Sequence, residues 1–457
     1  MLEDPESNDE TLEDHNLTPE FNPSKTFPDL RDFNFGIILV ATHILLEMGA
    51  VQHIFDYILG PLKIPLLVTT VTIGYGIYLM ASRKVALASP TSKALLLLIA
   101  FYVSYSLIAS TDPVTRESIW KVFLPYFFRL IILLKCITRK SQFVLIIDIF
   151  LLAVAHTCLR CSLSQGKLWG DAFLGDENEV SVLAVCAVPF AFNLFLVSRS
   201  MLKRIFYAGS IGLSVWLVMV AASRGGMLAL CLTGFLTWLF IRKKITALLI
   251  IIAAIVIVAN FAPKKIFNRL TTLQSQGTEE LTAFDRIYGW HCALMMFNDN
   301  PILGVGPSNF SERFPEYTYK YAQVAKRVPN RSFSVKRVAH STPLEWLSTT
   351  GIVGVGIMLL LLATLFRNWF IVKRCRKIIG WENAQSPDFV IIESIGFASA
   401  IAILSFWVGG IFITIIVHPF FWILIPLSEL AKNFAEDLKY RCAEEDQSLE
   451  ENAITVT

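Results

Sequence analysis

The sequence predicts an all-α membrane protein, a polytopic helix bundle of about twelve transmembrane spans with one large external loop that contains short helices. Three observations predict it. Of the 457 residues, 54% are hydrophobic and only 17% are charged, with a mean hydropathy of +0.56. A soluble globular chain is about 45–50% apolar and about 25% charged. The apolar residues fall in long runs, so lipid is the solvent for most of the chain. Cations are also shared unequally between alternate connections. An ordinary soluble enzyme and a disordered scaffold are excluded on this composition. A net charge of +3, thinly spread, excludes a nucleic-acid binder.

Residues 1–34 carry ten acidic and two basic residues and no apolar run. Such a segment cannot bury a core and is expected to be a disordered acidic tail. It also lacks the basic start and early apolar stretch of a signal peptide. Twelve apolar segments follow, at about 35–55, 64–81, 94–110, 118–135, 142–158, 180–198, 205–222, 226–241, 245–262, 343–366, 389–408 and 411–428. Most reach the roughly 17–25 residues that a helix needs to cross about 30 Å of hydrocarbon. Helices are required because unpaired backbone groups are costly in lipid. The expected organisation is spans one to nine over 35–262, a loop over 263–342, spans ten to twelve over 343–428, and a second acidic tail over 429–457.

Positive charge sets the expected orientation. One set of short loops holds seventeen cations, including Arg83, Lys140, Arg204, Lys243 and Arg376, and the opposite set holds six. The richer side should be cytoplasmic, which puts both termini inside and the long loop outside. That loop has eleven Lys/Arg against six Asp/Glu. It reads either as a solvated external domain or as a docking surface for an anionic ligand. The eight cysteines do not form a secreted disulfide framework. Cys158 and Cys161 make a C-x-x-C at a membrane edge, read as packing because no thioredoxin-like pattern surrounds it. No Cys/His cluster has zinc spacing.

Three external places carry candidate chemistry. Ser223-Arg224-Gly225-Gly226 lies between spans seven and eight, where the glycines permit a tight turn. An arginine there needs an anionic partner or must reach the interface. Asp285-Arg286-Ile287-Tyr288-Gly289-Trp290 lies in the loop, and residues 284–297 have helical spacing with Arg286 in the first turn. Arg286 reads equally as a partner of Asp285 and as a ligand group. Asn300-Pro301-Ile302-Leu303-Gly304-Val305-Gly306 follows and reads as a stop and a turn. His340-Ser341-Thr342-Pro343-Leu344-Glu345 opens span ten. There a hydroxyl would cap the helix, proline suits its first turn, and Glu345 complements its dipole. Within the spans, Arg129 must find a partner, and His43, Glu47, Asp148 and His418 form no evident relay.

In this order, with this loop between these helices, the pieces resemble the O-antigen ligase/polymerase superfamily of bacterial membrane glycosyltransferases. The resemblance rests on Ser223-Arg224-Gly225-Gly226, on Arg286-x-x-x-Trp290, and on Asn300-Pro301-x-x-Gly304-x-Gly306-x-x-x-Phe310. It ends with His340-Ser341-x-x-Leu344-Glu345 followed by Gly351-Ile352-Val353-Gly354, and it covers about residues 205–365. Departures are Ser341, where many members have Asn, and the long acidic tails.

The resemblance implies a multi-pass enzyme of the bacterial inner membrane that needs no metal or other cofactor. Its donor would be a glycan on undecaprenyl diphosphate, and its acceptor a glycan or lipid-linked hydroxyl at the periplasmic face. Arg224 and Arg286 would hold the diphosphate, and His340 would serve the acceptor hydroxyl. Trp290 and Glu345 are further candidates for lining the substrate. Guanidinium groups suit phosphate oxygens through paired hydrogen bonds. A neutral imidazole can take the acceptor proton, and single in-line attack would invert the anomeric centre. Phe310, Trp346, Tyr317, Tyr319 and Tyr321 would stack on sugars or sit at the interface. A polysaccharide polymerase and a protein O-oligosaccharyltransferase share this donor chemistry. A transporter or flippase is the alternative of a different class, although no repeated half-pattern favours it.

Overall fold

The computed structural model describes residues 28–49, 63–82, 88–108, 113–164, 176–240, 278–325 and 336–455, with a few positions between 244 and 256. Every regular element among them is helical. A 3-10 turn at Leu30–Asp32 leads into α1 (Phe35–Glu47), α2 (Ile64–Ala81) and α3 (Pro90–Ile108). Next, α4 (Pro113–Ser118) runs through a π turn at Ile119–Phe123 into α5 (Leu124–Cys136). Then come α6 (Lys140–Leu163), α7 (Glu177–Val197), α8 (Met201–Ala221) and α9 (Arg224–Phe240). The loop contributes α10 (Thr278–Asp299) and α11 (Phe310–Ala325). The chain ends with α12 (Thr342–Ile378), a single turn at Gly380–Asn383, α13 (Pro387–Gly409) and α14 (Pro419–Thr455).

Seven of the described helices are long and apolar enough to cross a membrane: α2, α3, α6, α7, α8, α12, and α13 with its extension to Phe412. Helices α1 and α9 are apolar but shorter. Of the twelve expected segments, 245–262 is described at only seven positions, and 35–55 is described only to Gly49. The segment 411–428 is not one helix. A 3-10 turn at Gly410–Phe412 ends α13, Ile413 is extended, and helix resumes at Pro419.

The tails also differ from expectation where they are described. Helix α14 continues to Thr455, so 429–455 is helical. Leu427, Leu430, Ala431, Phe434 and Ala435 are buried along it at helical spacing. Ion pairs from Lys432 to Glu436 and from Arg441 to Asp437 add support at i,i+4. At the other terminus, residues 28–34 pack on the bundle, and residues 1–27 lie outside the described residues. Asp32 is buried and accepts the Ser141 hydroxyl at 2.6 Å. Asn34 caps α1 by accepting the Ile37 N–H at 3.0 Å, and its amide donates to the Cys136 carbonyl at 2.8 Å.

Helix α7 is at the centre: 83% of its most apolar window is buried, against 17% for α2 at the periphery. It packs on α8 and α13. Close approach to α13 depends on Gly409, where a Cβ would stand 2.6 Å from Val182 Cγ2. Small residues matter here because lipid is as apolar as the side chains, so close packing and interhelical polar contacts hold the helices together. Thr233 and Ser405 join α9 to α13 through their hydroxyls at 2.5 Å. The intramembrane charges are paired. Arg129 donates both Nη atoms to Glu47, at 2.6 and 2.5 Å. His43 Nε2 lies 2.7 Å from Thr72 Oγ1, and Asp148 accepts from Lys203 at 3.0 Å and Tyr207 at 2.7 Å. All eight cysteines are free thiols, and Cys158 and Cys161 are fully buried, in keeping with a packing role.

One joint positions the loop against the bundle. Helix α12 is broken at Gly351, whose φ of 62° and ψ of −164° interrupt the helical bonding. The broken turn is completed by the segment after α10. Val305 and Gly306 donate their N–H groups to the carbonyls of Ser348 and Thr349, both at 3.0 Å. In return, Ile352 and Val353 donate to the carbonyls of Pro301 and Ile302, at 2.9 and 3.2 Å. Both strands of this clasp need glycine. A Cβ on Gly304 would lie 2.3 Å from the Thr349 carbonyl carbon, and one on Gly351 2.4 Å from the Ile302 oxygen. Trp346 bridges the break from the helix side, donating Nε1–H to the Gly354 carbonyl at 3.0 Å. Gly304→Ala should therefore destabilise the protein by more than about 2 kcal/mol, combining a left-handed backbone with a backbone clash. Gly356→Ala in the same helix meets nothing within 4 Å and should be neutral or mildly stabilising. Thermal unfolding of the two variants in detergent checks the contrast.

Candidate active site

The turn between α8 and α9 presents Arg224. Ala222, not a glycine, takes the left-handed conformation, with φ 48°. The glycines serve close approach instead. A Cβ on Gly226 would stand 2.7 Å from Ser181 Cβ, and one on Gly225 3.4 Å from Phe412 Cβ. The turn is thus wedged between the start of α7 and the end of α13. Ser223 caps α9, its Oγ accepting the Gly226 N–H at 3.1 Å. Arg224, the first residue of the helix, is exposed.

Arg286 lies in the third turn of α10, because that helix starts at Thr278 rather than near residue 284. The helix crosses the chain just before His340: a Cβ on Gly289 would lie 3.3 Å from the Ala339 carbonyl oxygen. Arg286 and Trp290 stand three residues before and one after this crossing, so i,i+3 and i,i+4 spacing puts Arg286 on the same side as both Gly289 and Trp290. Burial and the nearby Arg224 guanidinium hold Arg286 below the usual arginine value, while the Asp176 carboxylate pulls it back up. The two arginines are therefore electrostatic neighbours although far apart in sequence. Trp290 is half-buried, and its indole N–H has no hydrogen-bond partner among the described residues.

His340 is half-buried and sits on a left-handed backbone kink with φ 51°. The residues on both sides are pinned. Ala339 donates its N–H to Glu345 Oε2 at 2.8 Å, and Thr414 donates its hydroxyl to the same oxygen at 2.7 Å. Thr342 donates its N–H to the Ile413 carbonyl at 3.0 Å, and its Oγ1 accepts the Ile415 N–H at 3.0 Å. Ser341 makes no side-chain cap. The expected capping hydroxyl is thus absent, and Glu345 braces the backbone of Ala339, next to the histidine.

The segment 409–415 is the shared wall of the site. Phe412 and the Gly409 carbonyl back Gly225, while Ile413 and Thr414 hold Thr342 and Glu345. This brings the Arg224 turn, the Arg286 helix and the His340 kink to one end of the bundle. Several aromatic residues do not join them. Phe310, Tyr317 and Trp346 are buried in packing, and Tyr319 is exposed. Phe310 and Tyr317 belong to a small separate core of the loop, with Tyr288, Cys292, Met296 and Phe314. The side chain of Tyr321 lies outside the described residues.

Some of the loop's cations are paired among the described residues, while Lys264, Lys265, Arg269, Lys326, Arg327 and Arg331 lie outside them. Lys320 pairs with Asp299 and Glu316, Lys336 with Glu312, and Arg313 with Glu316. Among the described residues, no group of three or more His, Cys, Asp or Glu could hold a metal ion.

Residues 209–361 match a family model described as O-antigen ligase. That match supports the O-antigen ligase superfamily for this chain. It covers about a third of the residues and includes Arg224, Arg286 and His340. No curated protein matches the chain. Parts of the site lie outside the matched residues: the start of α7 with Asp176 and Asn178, and the wall at 409–415. Sequence reasoning missed both. Asp176 followed by Glu179 before an apolar run is a helix-start signal, but nothing local indicates that Asn178 meets Ser223. The wall was hidden inside an apolar run that read as a membrane helix.

The Gly289 crossing gives a direct test. Gly289→Val would push α10 away from Ala339 and displace Arg286 from the histidine kink. Because a shift of about 1 Å can cost about 10²-fold in rate, glycan transfer should fall far more than thermal stability. Parallel activity and melting measurements would read the difference.

Proposed function

We propose that the protein is an O-antigen ligase-like glycosyltransferase that moves a glycan from undecaprenyl diphosphate to an acceptor hydroxyl at the periplasmic face of the inner membrane. The observation that carries this reading is the pairing of two arginines, one partly desolvated, beside the kink that bears His340. Two cations held close together favour a ligand with more than one negative charge, and a diphosphate fits that demand. The donor's lipid would remain among the helices while its head group reaches this end of the bundle.

Breaking the anomeric C–O bond leaves the electron pair on the diphosphate. Arg224 and Arg286 would stabilise that growing charge, lowering the barrier because the interaction strengthens as the bond breaks. His340 would accept the proton of the acceptor hydroxyl as the oxygen attacks the anomeric carbon. Direct displacement inverts that centre. Trp290, with an unpartnered indole N–H one turn from Arg286, would line the donor side.

His340→Ala should lower transfer by about 10²–10⁴-fold, the usual contribution of a general base, while donor binding persists. Arg224→Ala and Arg286→Ala should weaken donor binding as well as turnover. Purified protein supplied with labelled carrier-linked oligosaccharide and different acceptors would read both effects and would separate ligase, polymerase and protein-glycosylating activities. Near wild-type transfer by the His340 variant would overturn its role as base. Retention of anomeric configuration would overturn single displacement.

A further inference from the structure

The turn that presents Arg224 is tied to α7 by a directed chain of hydrogen bonds. Ser223 Oγ accepts the Gly226 N–H at 3.1 Å and donates to Asn178 Oδ1 at 2.7 Å. The Asn178 amide then donates Nδ2–H to Asp176 Oδ1 at 2.8 Å, and the Asn178 backbone N–H donates to the same oxygen at 2.7 Å. The polarity follows from the groups themselves. An ionised carboxylate only accepts, so the amide must turn its NH2 toward Asp176 and its oxygen toward Ser223. The hydroxyl proton of Ser223 is thereby committed to Asn178, leaving a lone pair for the first turn of α9. The chain ends on a negative charge, which polarises every bond in it.

We propose that Asn178 is a positioning residue for the donor site, fixing through Ser223 the direction in which α9 presents Arg224. The asparagine does not touch the reacting atoms. It sets the entry of the helix whose first residue is the arginine. Asp176 fixes the orientation of the Asn178 amide and also faces Arg286 electrostatically, so the same short segment at the start of α7 bears on both cations. Ser181, one turn further along α7, backs Gly226 and completes the seat. This assignment rests on the reading of Arg224 as a diphosphate ligand.

A double-mutant cycle tests it, using Asn178→Ala, Ser223→Ala and the pair in full-length protein, with labelled carrier-linked oligosaccharide as donor. Each single variant should raise the donor KM by roughly fivefold, the factor carried by one net hydrogen bond, and leave the acceptor KM unchanged. The double variant should be no worse than the weaker single, because both changes break one chain. The isosteric Asn178→Asp should lose as much as Asn178→Ala, since its second oxygen would face the Asp176 carboxylate. Melting temperatures identify any variant that merely unfolds. Additive losses, an unchanged donor KM, or a loss confined to the acceptor KM would overturn the proposal. Wild-type protein that neither transfers nor binds the donor would instead overturn the underlying reading of the site, so the two failures are distinguishable.

Discussion

The whole arrangement depends on repairing a broken helix. At Gly351 the backbone of α12 leaves the helical conformation close to the end of the bundle. Free carbonyl and N–H groups at such a depth cost several kcal/mol each unless the protein supplies partners. The segment 301–306 supplies them, two donors and two acceptors in register with the break. That requirement explains why Asn300-Pro301-x-x-Gly304-x-Gly306 and the glycines after His340 belong together. They are two halves of one backbone structure, and each half needs glycine because the other half's backbone occupies the space of a side chain.

The clasp has geometric consequences. It fixes where α10 ends, and α10 carries Arg286 and crosses Ala339 at Gly289. It also fixes the short stretch of α12 before the break, which carries Glu345 and therefore the brace on Ala339. His340 stands between these constraints, on a backbone conformation that few residues other than glycine adopt. A left-handed histidine persists when its neighbours over-determine it. Here the neighbours are held by a carboxylate on one side and by the 409–415 wall on the other. The rigid part of the site is thus the backbone that carries the imidazole.

The sequence made the helical membrane class legible because long apolar runs have few other physical solutions. The three charged candidates were legible as residues, since arginine and histidine at a membrane boundary demand a reason. Their convergence was not legible. It depends on a crossing at Gly289, a wedge at Gly225 and Gly226, and a wall whose apolar residues imitate a membrane span. Glu345 stands in the first turn of its helix, as its spacing from the helix start suggests, but its second task, holding a backbone N–H six residues upstream, was not legible. The acidic C-terminal segment read as a tail. Its buried stripe from Leu427 through Ala435 continues the preceding helix without a break.

Electrostatics connects these placements to the proposed chemistry. Bringing two guanidinium groups together while partly drying one of them is unfavourable in the free protein, and Asp176 offsets part of that cost. In the proposed reaction an anionic ligand would relieve the same repulsion. That relief would grow as charge accumulates on a departing diphosphate, whereas a neutral sugar would gain nothing from it. In that chemistry an acceptor hydroxyl would approach from the side of His340, whose flanking backbone is held by Glu345 and by the 409–415 segment. The division is physically sensible. Donor charge would be met by side chains whose position depends on helix entries and crossings, and the proton by a side chain held through the backbone around it.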